Sequence, residues 1–226
     1  FRAGIIFLFI GSLLKFIFAY SIPLWEPNQF EELKTEVWAP TSQDIAEEID
    51  YYTSSWESQM FVRAPQAFKM QTKVFISETF WRVSGLILLG MAFFKKGVFT
   101  GKQSNKFLTK LTVYGLSIGL PLVVVGVILD FNDRWDFEKG YFYYSQFNYW
   151  GSVAMAIGYV GIIVLLCKAG TKNFLAKKLA LVGQMAVTNY IMQSVICTFI
   201  FYGHGFGLFG DLDRAAQAVI VLAICI

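Results

Sequence analysis

Five stretches of this chain are long and apolar enough to cross a bilayer, and hydrocarbon leaves them few forms to adopt. They cover residues 3–22, 74–94, 111–129, 150–167 and 180–202, and a sixth begins near residue 215. Lipid offers no partner to a backbone N–H or C=O, so a spanning segment is either a helix or a strand of a closed barrel. Barrel strands alternate polar and apolar residues over about 10 positions, and runs such as 120–129 do not. The expected fold is all-α: a polytopic transmembrane helix bundle with five full spans and a truncated sixth. The short sixth run and the start at Phe1 read as the interior of a longer protein, with residues 1–226 forming one membrane domain.

The connecting segments carry charge of alternating character. Residues 95–110 hold five lysines and no acid, and residues 168–178 hold four lysines and no acid. Residues 26–73 carry nine acids against four bases, and residues 130–139 four against two. Basic loops resist translocation, so the two lysine loops are expected on the cytoplasmic side of the membrane. Arg63, Lys69 and Lys73, at the outer end of the second span, run against that orientation, and the two acid-free loops outweigh them. Only 15% of residues are charged, against roughly 25% in soluble domains. With the basic residues in short juxtamembrane clusters, the +3 net charge indicates contact with the bilayer and not a nucleic-acid partner.

Residues 23–73 form the long outer loop. Within it Ile45, Ile49, Tyr52, Trp56 and Met60 recur at helical spacing, which predicts an amphipathic helix over about 43–60 with an acidic opposite face. Thr41 and Asp44 have the spacing of a capping box at its start. Gly115 with Gly119, and Ala154 with Gly158, are spaced for close helix packing. Pro121 is expected to kink the third span by removing a bond to the Ser117 carbonyl. Between 141 and 150 seven of ten residues are aromatic, which reads as an interfacial belt in preference to a ligand platform.

Candidate chemistry lies where polar residues enter apolar runs. Glu78 and Arg82 share one face of the second span. Either they neutralise each other, or Arg82 holds a carboxylate or phosphate in a pocket, because intramembrane charges pair or face water. Lys15, nearer a helix end, is expected to snorkel outward. The fifth span carries Gln184, Thr188, Asn189, Gln193 and Ser194, suited to interhelical hydrogen bonds or to lining a substrate path. His204, the only histidine, is a weaker candidate for a base in an outer turn. Residues 205–210 fit G-x-G-x-x-G but lack the preceding strand that gives this pattern meaning, so they read as a tight turn. Cys167, Cys197 and Cys225 all lie in apolar runs, which argues against disulfides or a metal site, and no cofactor is evident.

The run Gly183-Gln184-Met185-Ala186-Val187-Thr188-Asn189-Tyr190-Ile191-Met192-Gln193-Ser194, followed by Gly205-Phe206-Gly207-Leu208-Phe209-Gly210, resembles the signature of the YeiB-like bacterial membrane proteins, domain of unknown function 418. Leu89-Gly90-Met91-Ala92 resembles a second family stretch. Tyr52-Thr53-Ser54-Ser55 with Arg63 resembles a third, with Ser54 where glycine is usual. The resemblance implies a multi-pass cytoplasmic-membrane protein. By fold analogy it also implies transmembrane acyl transfer to an outer-face substrate, with acetyl-coenzyme A as donor only in that case. A small-solute transporter and a non-catalytic membrane scaffold are the alternatives, and the oligomeric state is open.

Overall fold

The computed structural model describes residues 1–169 and 174–225. The helices are α1 (Arg2–Ser21), α2 (Pro27–Val37), α3 (Ser42–Thr53), α4 (Trp56–Lys69), α5 (Phe80–Lys95), α6 (Asn105–Asn132), α7 (Ser145–Lys168), α8 (Phe174–Gln184), α9 (Ala186–Phe201) and α10 (Arg214–Cys225). Two stretches, Met70–Thr79 ahead of α5 and Lys139–Tyr144 ahead of α7, are wound as wider π-helix. Among the described residues there is no strand, and four helical runs are long and apolar enough to cross a membrane: Arg2–Leu24, Trp56–Lys95, Asn105–Asn132 and Lys139–Lys168. The molecule is a polytopic helical membrane protein. Large side chains such as Phe9, Val113, Tyr114 and Ile163 are exposed along these runs, as lipid-facing surfaces require.

The fifth expected span is not one helix. Met185 leaves helical geometry (φ −98°, ψ 15°) and separates α8, of 11 residues, from α9, of 16. The amphipathic helix of the long loop is likewise two helices, with Ile45, Ile49 and Tyr52 on α3 and Trp56 and Met60 on α4. Ser54 is extended there, and Ser55 starts α4 by accepting from the Ser58 N–H at 3.3 Å. Both halves of the Thr41–Asp44 capping box are present. Pro121 sits inside an unbroken α6. Part of the second basic loop, residues 170–173, lies outside the described residues, as does the side chain of Cys225.

The chain divides into two compact units, Phe1–Lys34 with Gln71–Ala176, and Thr35–Met70 with Lys177–Ile226. In the first, α6 and α7 pack backbone to backbone. A Cβ added at Gly115 would stand 2.6 Å from the Gly158 nitrogen and 2.7 Å from the Ala154 carbonyl oxygen, so the predicted small-residue seam is the actual contact. α1 meets α5 in the same manner, with the Gly4 site 2.9 Å from the Gly85 carbonyl oxygen. The buried core of this unit is small: Phe93, Val98, Leu108 and Val164 in one cluster, Leu8, Leu89 and Val153 in another.

In the second unit, the turn after α9 folds back on its own helix. The N–H groups of Phe206, Leu208 and Phe209 donate to the carbonyls of Phe199, Ile200 and Phe201, satisfying acceptors that a helix end leaves open. The Gly203 N–H donates to the Tyr52 carbonyl at 2.9 Å. A Cβ added at Gly203 would overlap the carbonyl oxygens of Thr53 and Ser54, so no side chain fits there. Gln59, fully buried, ties the α3–α4 turn by donating to the carbonyls of Tyr52 and Ser54.

Candidate functional site

The first unit holds a cleft of about 380 Å³ whose lining includes Lys15 from α1, Glu78 from the end of a π stretch, Arg82 from α5, and Ser145, Gln146, Asn148 and Tyr149 from α7. Both of its longer walls change from π to α winding beside it, after Thr79 and after Tyr144. Such transitions are found frequently at functional sites.

Glu78 and Arg82 line the same cleft, yet no ion pair joins them within 4 Å. Arg82 donates to the Ser152 hydroxyl at 2.8 Å, and its guanidinium lies 4.9 Å from the centre of the Tyr149 ring. Glu78 accepts from the Tyr141 hydroxyl at 3.3 Å. Lys15 is half-buried, with its ammonium 4.4 Å from the centre of the same Tyr141 ring, and lines the cleft. Each charge is held by neutral partners and aromatic faces, interactions worth about 0.5–2 kcal/mol per cation.

Gln146 anchors the floor. Its side chain is 7% exposed, and its Oε1 accepts from the Ser12 hydroxyl at 2.7 Å. Ser12 in turn accepts from the Trp150 indole N–H at 3.3 Å. The Nε2 of Gln146 is buried without a partner. Tyr149 completes the frame by donating to the Leu8 carbonyl at 3.0 Å. Gln146, Tyr149 and Ser152 were not singled out from the sequence. The usable signal was Ser145, Gln146 and Asn148 interleaved with the aromatic run at a span's beginning.

The other candidates from the sequence do not line this cleft. Thr188, Asn189, Gln193 and Ser194 lie on α9, in the second unit; Asn189 and Gln193 are half-buried, Thr188 and Ser194 exposed. The Ser194 hydroxyl donates back to the Tyr190 carbonyl. His204, exposed, packs edge-on against Trp56 with ring centres 5.4 Å apart. Arg63 lies between the rings of Trp56 and Tyr202, at 5.4 and 5.3 Å from their centres. In this unit burial pushes the Tyr52 hydroxyl above its ordinary pKa, with Tyr202 adding to the effect. Among the described residues no group of three His, Cys, Asp or Glu is placed to hold a metal.

Helices of membrane-spanning length around an internal charged cleft define an integral membrane protein of the multi-pass kind. Residues 93–226 match the family described as "Protein of unknown function (DUF418)", and the chain belongs to that family. It is similar to the uncharacterized protein YeiB of Escherichia coli K12, 29% identical over 148 residues, covering 64% of this chain and 37% of YeiB. It is also similar to the uncharacterized protein YxaH of Bacillus subtilis 168, 39% identical over 75 residues, covering 33% of this chain and 19% of YxaH. The chain thus spans well under half the length of these relatives. No solved structure gives a significant match.

Proposed function

We propose that the protein transfers an acyl group at the bacterial inner membrane to a substrate on the outer face, and that the cleft of the first unit holds that substrate's polar group. The observation that carries this reading is the cleft itself: Lys15, Glu78 and Arg82 without an ion pair, beside a buried amide, among helices otherwise apolar. Intramembrane ionisable residues are rare, face the bundle interior or a water-filled cavity, and mark substrate and ion pathways. The lysine loop over residues 95–110 faces the cytoplasm in this reading, where acetyl-coenzyme A is the expected donor. The test is transfer of labelled acetyl from acetyl-coenzyme A to an outer-face glycan pool by the full-length protein in proteoliposomes. Arg82→Ala should lower transfer by about 10²-fold, the scale for losing one positioning contact. Wild-type protein without transfer overturns the proposal.

One observation favours a second reading, carriage of a small solute. The π-wound stretches Met70–Thr79 and Lys139–Tyr144 sit beside the cleft on both longer walls, and π winding is one of the places where helices kink. Solute uptake into proteoliposomes abolished by Arg82→Ala, in the absence of any acyl donor, would select it over transfer.

A further inference from the structure

We infer that the cleft takes a zwitterion: a small group with an oxyanion seated on Lys15, Arg82 and the Gln146 amide, and an ammonium facing Glu78. The inference rests on the reading of this cleft as the substrate's place and names the chemistry of what enters it.

Opposite charges four residues apart on one helix attract, and away from water they pair unless something holds them apart. Here something does. The Tyr141 hydroxyl takes the Glu78 carboxylate at 3.3 Å while the face of its ring takes the Lys15 ammonium at 4.4 Å. Ser152 and the Tyr149 ring hold Arg82. The protein's own groups therefore leave two positive charges and one negative uncancelled in one cleft.

The buried amide decides where each end of the ligand goes. Ser12 occupies Oε1 of Gln146, so what remains is a donor, Nε2, in a side chain 7% exposed. A buried donor without an acceptor is destabilising, and an oxyanion beside Arg82 and Lys15 supplies that acceptor. A plain anion would meet the Glu78 carboxylate, and a plain cation would meet two positive charges. A ligand with an oxyanion for Lys15 and Arg82 and an ammonium for Glu78 gives each of the three charges a counter-charge. Its volume, about 380 Å³, lies near the small end of ligand pockets, the scale of a headgroup or an amino-acid-sized solute. Phosphoethanolamine has this chemistry, free or as the headgroup of a membrane lipid.

The experiment is calorimetric titration of the full-length protein in phosphatidylglycerol nanodiscs with O-phosphoethanolamine, inorganic phosphate and ethanolamine. O-phosphoethanolamine should bind at least about tenfold more tightly than either half-ligand, as expected for one additional charge-assisted contact. Glu78→Gln should erase the preference over phosphate; the Glu78 side chain is exposed, so this change leaves packing intact. Gln146→Met should weaken phosphate and O-phosphoethanolamine alike. Nanodiscs containing phosphatidylethanolamine that compete with the free compound assign the source to lipid; failure to compete assigns it to solute, and both outcomes keep the chemistry. Equal affinity for phosphate and O-phosphoethanolamine, a preference that survives Glu78→Gln, or no binding of any probe overturns the inference. No acyl donor is present in this assay. Binding without acetyl transfer therefore removes only the transfer reading, and transfer without zwitterion preference removes only this one.

Discussion

Replacing Gly115 by alanine puts a methyl group where α7 already stands. The three atoms nearest the new Cβ are the Gly158 nitrogen at 2.6 Å, the Ala154 oxygen at 2.7 Å and the Gly158 Cα at 2.7 Å, all of them backbone. No side chain can rotate away, so the helices must part, and the contacts along the seam, including Gly119 against the Gly151 carbonyl, loosen with them. Overpacking costs about 1–3 kcal/mol, and a wholly backbone clash belongs at the upper end. Alanine's better helix propensity returns about 1 kcal/mol at most. The expected net is a destabilisation of about 2 kcal/mol. Gly90→Ala in α5 is the control, because nothing lies within 4 Å of its added Cβ and only the propensity gain remains. Reversible unfolding in mixed micelles, followed by tryptophan fluorescence, measures both. A G115A protein as stable as wild type, or less affected than G90A, would refute the backbone-contact account of this seam.

Ser12→Ala strips the acceptor from the Trp150 indole and the donor from Gln146, and leaving such groups unpaired in the interior should destabilise by about 1–3 kcal/mol in the same micelle assay. The Asp44 carboxyl is held below the usual carboxylate range by the Thr41 side-chain and backbone hydrogen bonds. With its folded pKa below the unfolded one, its stabilisation is present above the ordinary carboxylate pKa and disappears as pH falls through the folded value. Helicity by circular dichroism should show that acid loss in wild type, and Asp44→Asn should remove this component. For orientation, a cysteine-free background carrying Lys102→Cys should resist an impermeant maleimide on intact cells, while Asp136→Cys should react. The opposite labelling would invert the assignment.

The features legible from the sequence were those in which a single physical rule dominates. Backbone hydrogen bonding in lipid turns an apolar run of sufficient length into a helix, and the runs that became α1, α6 and α7 did so. The Gly115/Gly119 and Ala154/Gly158 spacing named the α6–α7 contact because only small residues allow backbones to meet. The break at Met185 had no such marker: Gln184-Met185-Ala186 contains no glycine or proline and caps nothing. The break at Ser54 was readable, since Ser55 with Ser58 is a capping pattern, but the four-residue apolar rhythm from Ile45 to Met60 passes over it. Glu78 and Arg82 announced themselves as charges in an apolar run. Lys15 looked like a residue bound for the interface, and Tyr141 like part of an aromatic belt. A cation resting on an aromatic face depends on which helices become neighbours, and periodicity carries no information about that.

The glycine contacts also settle how the first unit is able to move. Where two backbones touch, there is no compressible side chain between them, so α6 with α7 behaves as one beam and α1 with α5 as another. The beams are joined by the apolar cluster of Leu8, Leu89 and Val153 and, beside the cleft, by directional links: Ser12 to Gln146 and to the Trp150 indole, Tyr149 to the Leu8 carbonyl, and Arg82 to Ser152. Any widening that admits a ligand is therefore a hinging of two stiff halves, with these hydrogen bonds as its latch.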